Sequence, residues 1–351
     1  MKKLVPIILI LVLLLAACTT PYVEEDPPPE PPTTPEPTPE PTPQPEPYRN
    51  PLTGEPIDAD PGNRRPYAVI INNIGVALPH HGLSRADIIF EILAEGDITR
   101  MVAIFSNIED IGSIGSMRSA RTYYVEVARA FDAIFVHAGG SDAAYAAISR
   151  YGIDNMDGVR GRYGDRIFFR DRDRMRHGVE HSMFTSSERL LEFTKTLGIR
   201  TEHLEEDHDY GLTFVERAEM RSGMLAASVN VRFGRGKETK FTYHPGIGYT
   251  AFQYGSVLID GNTDEAVEFS NILVLYAQTR VIDGYGRRDI TLTGSGTGYH
   301  ISHGMAVPIT WHRESNGSIF TYYLEDGTPL ELTIGRTYIA IVPMDSEITK
   351  R

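Results

Sequence analysis

Two arginines, Arg118 and Arg121, stand three residues apart where an apolar, helix-spaced pattern begins. A guanidinium is a planar fork of N–H donors that matches phosphate or carboxylate, and two on one helical face beside the Gly112–Ser119 loop would hold such an anion. Cations at a helix start oppose its dipole unless an anion compensates, which favours a site. The competing role is structural: pairing with Glu91, Glu95 or Asp97 to hold a sheet together. Just downstream, His137-Ala138-Gly139-Gly140-Ser141 ends a short apolar run and leads into a second helix, with Ser141 as cap and Asp142 in the first turn. An imidazole there is either an acid/base or donor group, or a packed structural histidine. Arg118, Arg121, His137, Gly139, Gly140 and Ser141 are therefore the candidate ligand-binding residues.

Other chemistry-bearing patterns read differently. His177-Gly178-Val179-Glu180-His181 fits H-x-x-E-H, in which two histidines one helical turn apart bind zinc and the glutamate activates water. That geometry needs a helix, and Gly178 and Val179 are poor helix formers, so no metal is assigned. The acids Glu202, Glu205, Glu206, Asp207 and Asp209 lack EF-hand spacing and read as a solvated linker. Gly294–Gly298 sits among strands with no following helix and reads as a glycine-rich turn rather than a nucleotide loop. G-x-S-x-G, S-x-x-K, H-E-x-x-H and P-loop signatures are missing. No cofactor is implied, and catalytic residues stay unassigned.

The elements that must position these residues follow from periodicity. Ala120, Tyr124, Val127, Ala128 and Phe131 mark one helical face, and Ala133–Val136 is a buried strand. Strands are expected at Tyr67–Ile71, Ile88–Leu93 and Thr99–Phe105, and a helix with a Thr185/Glu188 capping box ends at Gly198. From Val229 onward come short β-rich runs at Val229–Phe233, Lys240–Tyr243, Ile272–Tyr276, Asp289–Leu292, Ala306–Trp311, Ile319–Tyr323 and Tyr338–Ile341. The fold class is thus an α/β (or α+β) N-terminal domain, residues 51–215, followed by a smaller β-rich C-terminal domain, residues 216–351, a barrel or sandwich.

The N-terminus is an address. Lys2 and Lys3, an apolar run from Leu4 to Leu15 and then Ala16-Ala17 form a signal peptide over residues 1–17. Leu15-Ala16-Ala17-Cys18 resembles the lipobox of bacterial lipoproteins, and Cys18 is the single cysteine, which makes lipid attachment its expected role and removes disulfides and thiolate metal sites from the body. Residues 18–50 form a stalk in which Pro, Glu and Thr alternate, with polyproline II as the natural state. The formal charge is −13; the leader lysines and the seven stalk acids account for −5 of it, leaving −8 for residues 48–351. An acidic body of that kind excludes nucleic acid as a partner of the whole surface.

Several segments together resemble the YerB-like bacterial lipoproteins, a family with a two-part domain of unknown function. They include Asn50-Pro51-Leu52-Thr53-Gly54, Gly82-Leu83-Ser84-Arg85-Ala86-Asp87-Ile88, Met117-Arg118-Ser119-Ala120-Arg121, His137-Ala138-Gly139-Gly140-Ser141 and Gly304-Met305-Ala306-Val307-Pro308-Ile309-Thr310-Trp311. The resemblance implies an α/β part followed by a β-rich part and brings no activity with it. The expected protein is lipid-anchored on the extracytoplasmic face of the cell membrane, binding an anionic cell-wall or phosphosugar ligand or an envelope protein partner. The alternatives are a cell-envelope enzyme acting on phosphate-linked wall precursors, by phosphoryl transfer or hydrolysis, and a structural adaptor of a membrane complex.

Overall fold

β-Branched and aromatic runs become strands where both faces can be covered. In the computed structural model, which describes residues 47–351 except Asp207, Arg221 and Ser222, three such runs form β1 (Tyr67–Asn73), β2 (Ile88–Leu93) and β3 (Thr99–Phe105), every residue of them buried. The expected leader, Cys18 and the stalk up to Glu46 lie outside the described residues. Next come β4 (Ser113–Gly115), α1 (Thr122–Ala130), β5 (Ile134–His137), α2 (Asp142–Tyr151) and β6 (Asn155–Asp157). β7 (Phe169–Arg170), β8 (Met183–Ser186) and α3 (Ser187–Thr196) complete the first half. α1 buries Tyr124, Val127 and Ala128, as its spacing predicts, but also Tyr123, Val125, Glu126 and Ala130, so it is covered nearly all round; α2 is capped by Ser141, whose Oγ accepts from Ala144 N at 3.2 Å.

The second half is strands: β9 (Ser228–Arg232), β10 (Glu238–His244), β11 (Gly248–Gln253), β12 (Asn271–Ala277), β13 (Thr279–Val281), β14 (Arg288–Ile290), β15 (Gly294–Ser302), β16 (Met305–Arg313) and β17 (Thr337–Pro343). One large sheet runs through both halves in the order β16-β15-β12-β17-β2-β3-β1-β5-β6, with β17 parallel to both β12 and β2. A smaller sheet holds β9, β10 and β11. Both sheets have open ends, so of the two architectures expected for the β-rich part the closed barrel does not form.

The sheets meet at Glu91, a fully buried carboxylate on β2. It accepts from Asn73 Nδ2 at 2.7 Å, Thr99 Oγ1 at 2.6 Å and Thr239 Oγ1 at 2.6 Å, pairs with Lys237 Nζ at 3.1 Å and also accepts the Tyr338 hydroxyl. Strands of the first half, of the second half and of the smaller sheet are thereby tied through one side chain.

Four sequence expectations are corrected. Thr185 does not cap α3: it lies in β8, its hydroxyl donating to Ile167 O at 2.8 Å, and Ser186 is the N-cap position. Gly294–Gly298 is the start of β15 rather than a turn; a Cβ at Gly296 would meet Trp311 Nε1 at 2.5 Å and one at Gly298 would meet Val274 O at 2.2 Å, so the glycines permit close packing across the sheet. The stretch Thr201–Asp209 keeps Glu202, Glu205, Glu206 and Asp209 exposed, as expected of a solvated segment, but it is not a linker, because His203 ties it down, donating through Nδ1 to Asp132 at 2.9 Å and receiving the Tyr210 hydroxyl at Nε2 at 2.8 Å. Arg118 does not share a helical face with Arg121. It lies in an extended segment before α1, its N–H donating to Ile70 O at 3.1 Å.

Candidate functional site

The segment from Arg118 to Ser141 is held by backbone bonds that bring its two ends together. Ala120 N donates to Gly139 O at 2.8 Å, Ala138 N to Arg118 O at 3.0 Å and Ser141 N to Ala120 O at 3.3 Å. The stretch before α1 and the turn before α2 therefore run side by side. Gly139 has φ of +76°, a left-handed geometry glycine adopts without a Cβ clash, and Asp157 Oδ1 accepts its N–H at 2.7 Å. Beside this pair an open cleft of about 480 Å³ is lined by Ser119, Arg121, Gly140 and Ser141 from the first half. Glu95, and Tyr285 and Arg287 from the β13–β14 hairpin of the second half, complete it.

The charges around this cleft are arranged as follows. Glu95 is shared: Oε2 pairs with Arg100 Nη2 at 2.8 Å and Oε1 pairs with Arg121 Nη2. Arg121 also donates through Nη1 to Ala120 O at 2.6 Å, while its Nε is buried without a partner among the described residues. Arg287 Nε is held by Asp283 at 2.6 Å. Among the lining residues two guanidiniums, Arg121 and Arg287, thus meet one carboxylate, Glu95, a local positive excess. Burial above all, with Arg287 adding repulsion, holds the Arg121 pKa below its ordinary value. An incoming anion would relieve both effects. Tyr285 is 83% exposed at the cleft edge, with the Arg287 guanidinium 5.5 Å from its ring centre, which leaves the opposite aromatic face to a ligand.

Of the six residues singled out from sequence, Arg121, Gly140 and Ser141 line this cleft. Gly139 shapes the turn from behind. Arg118 does not line it; Nη1 donates to Glu180 O at 3.4 Å, and no carboxylate lies within salt-bridge distance among the described residues. His137 is fully buried, stacked on Phe135, with Nδ1 donating to Gly139 O at 2.8 Å and Nε2 3.2 Å from Asn155 Oδ1. It orders the turn and does not face the cleft. Sequence reading missed Tyr285 and Arg287, which lie far downstream in Asp283-Gly284-Tyr285-Gly286-Arg287. The available signal was an aromatic set among glycines in a polar turn.

Two other places can be compared. A larger hollow of about 510 Å³ under the N-terminal segment sets Asp58, Asp60 and Glu109 against the single guanidinium of Arg64, a poor match for an anion. His177 and His181 fall in separate 3₁₀ turns, Arg174–His177 and Val179–His181, broken at Gly178 with φ of +119°, so the single helix that H-x-x-E-H requires is not formed. His181 instead places Nδ1 3.0 Å from Asn72 Nδ2.

An α/β half and a β-rich half joined through one sheet define a two-part extended-sheet protein. The first part matches the family described as protein of unknown function (DUF3048) N-terminal domain over residues 52–200, and the second its C-terminal domain over residues 229–339. YerB of Bacillus subtilis (strain 168), whose name proposes a lipoprotein, is 32% identical over 298 residues, covering 84% of this chain and 86% of the relative. The crystal structure of the Bacillus subtilis YerB protein superposes with a TM-score of 0.74 at 31% identity, covering 86% of this chain and 100% of that one. The chain belongs to the YerB family.

Proposed function

We propose that this protein is lipid-anchored through Cys18 on the extracytoplasmic face of the membrane and that the Arg121–Arg287 cleft binds an anionic envelope ligand, a phosphorylated sugar or a phosphate-linked wall fragment. The observation that carries the reading is the positive excess of guanidiniums around an open cleft that also offers Ser119, Ser141 and the exposed Tyr285 ring. Guanidiniums and hydroxyls fit the phosphate, and the ring fits a sugar face. Binding is favoured over catalysis because the imidazole nearest the cleft is buried with both nitrogens engaged, and Glu95 is held between two arginines.

Calorimetric titration of inorganic pyrophosphate and of a sugar 1-phosphate tests the cleft. Arg121→Ala should weaken binding by about 2–5 kcal/mol, the range for truncating a buried charge contact. Arg121→Lys should not restore it, because an ammonium lacks the planar fork. Equal affinities in wild type and both variants would remove the cleft as the site. The anchor rests on Leu15-Ala16-Ala17-Cys18 and on the name of the relative. Cys18→Ser should move the protein from the membrane fraction to the soluble one. Retention of the serine variant through salt and carbonate washing would contradict anchoring at that residue.

A further inference from the structure

Between Gly158 and His177 the chain carries seven arginines and three aspartates, a local excess of four positive charges in a body that is otherwise acidic. Arg162, Arg170, Arg172 and Arg176 are exposed. None of Arg118, Arg162, Arg170, Arg172, Arg174 and Arg189 lies within 4.0 Å of a carboxylate among the described residues; the ion pairs of this region are Arg160–Asp142, Arg166–Glu192 and Arg176–Asp173.

All of these side chains except Arg172, which is exposed and stands between Arg170 and Arg174 in the chain, are linked through shared neighbours into one strip. Arg118 donates to Glu180 O at 3.4 Å, and Arg170 is bonded to the neighbouring Val179 O and lies 3.4 Å from Ser182 Oγ. Arg189 stacks over Phe169 at 5.0 Å and donates to Arg166 O at 2.9 Å and Phe168 O at 3.3 Å. Arg166 and Arg162 both lie over Tyr163, at 5.9 and 5.3 Å. On the other side of Arg170, Arg174 lies 5.7 Å from the Phe184 ring and donates to Ala77 O at 2.6 Å. Rings and carbonyls thus hold several guanidiniums in place, and a held fork loses less freedom when it grips a phosphate.

We propose that this strip is a docking surface for a linear polyanion bearing repeated phosphate groups, separate from the Arg121 cleft. A single extended chain contacts only the strip. A flat anionic bilayer would also meet the acids that border it, Asp165, Glu180, Glu188 and Glu192, and would be repelled by the acidic body. Polymer binding of this kind releases counterions, so affinity should fall steeply and linearly with the logarithm of salt concentration.

The test uses the full chain carrying Cys18→Ser, so that no lipid intervenes, with long-chain inorganic polyphosphate as probe and phosphatidylglycerol vesicles and inorganic phosphate as comparisons. Polyphosphate should bind, and the triple variant Arg162→Gln/Arg170→Gln/Arg172→Gln should lose at least about tenfold in affinity and about three units of salt slope. A control with the same charge change on the second half, Arg232→Gln/Arg235→Gln/Arg280→Gln, should bind as the parent does, and all forms should share one melting temperature. The proposal is overturned if polyphosphate does not bind at low salt, if the two triple variants lose affinity equally, or if vesicles bind through the strip and polyphosphate does not. The strip triple variant should bind inorganic pyrophosphate at the Arg121 cleft as the parent does, which separates failure of the strip from failure of the cleft.

Discussion

Glu126 shows how one residue sets a pH dependence. It sits on α1, 8% exposed, opposite the fully buried Arg313 of β16. Arg313 spends its donors on carbonyls, those of Ser318 at 2.8 Å, Asn316 at 3.0 Å and Glu126 itself at 2.6 Å, and its nearest nitrogen is 4.0 Å from the Glu126 carboxylate. The carboxylate is therefore desolvated without a close partner, and burial pushes its pKa up from 4.5 to about 7, with Arg313 pulling partly back. A carboxyl that holds its proton more tightly when folded adds stability below its unfolded pKa and loses it as pH rises through the folded value. Wild type should accordingly lose up to about 3 kcal/mol of this contribution between about pH 4.5 and 7. Glu126→Gln should be more stable than wild type at pH 8 and nearly equal at pH 4, measured by urea denaturation at both. A variant equally destabilised at the two values would show that the carboxylate is paired in a way this geometry does not contain.

At the scale of elements, β15 shows where sequence reading succeeds and where it stops. Val, Ile, Tyr and Phe runs marked β1, β2, β3, β12 and β17 within two residues, because fully buried strands are legible as apolar runs whatever they pair with. Glycine is different, since the same residue serves a turn or a crowded strand, and only the neighbour decides. At Gly298 that neighbour is the Val274 carbonyl, 2.2 Å from where a Cβ would stand, while Gly294 has open space and a φ of +89°. Gly298→Ala must push apart β12 and β15 and should cost about 1–3 kcal/mol or more. Gly294→Ala carries only the left-handed backbone penalty of about 1–2 kcal/mol. Thermal melts of both variants decide the matter: if Gly298→Ala is the milder, the close approach across β12 and β15 is not what the glycine serves. The candidate site divides in the same way. Arg121, Gly140 and Ser141 were legible because they are local to one helix–strand–helix unit, whereas Tyr285 and Arg287 reach the cleft through a hairpin whose docking, Gly96 N to Gly286 O at 3.0 Å, no local pattern encodes.

For the whole described body, the question is what makes two halves one cooperative unit, and the parallel pairing of β17 with β2 places the answer at Glu91. Separate family matches for the two parts, and strands whose periodicity says nothing of their partners, left this junction invisible in sequence. Lys237 and Glu91 are 2% and 0% exposed in their side chains and 3.1 Å apart; Lys237 also donates to Gln253 Oε1 at 2.9 Å, and burial holds its pKa below the usual lysine value. Removing one member of such a pair strands a buried charge, whereas replacing both with neutral groups of similar shape is close to harmless. Lys237→Met should thus destabilise by about 3–5 kcal/mol. Adding Glu91→Gln should recover most of that loss, because the amide oxygen can still accept from Asn73 and Thr99 while its N–H groups meet the Thr239 and Tyr338 hydroxyls, which can accept. Since Glu91 ties β2 to Thr239 of β10 and Tyr338 of β17, and so both halves and both sheets, denaturation of each form should show one transition detected alike by far-ultraviolet circular dichroism and by fluorescence of Trp311 in the second half. A double variant no more stable than Lys237→Met would show that Glu91 is not the charge the lysine serves. Two separated transitions in wild type would show that the shared sheet does not couple the halves.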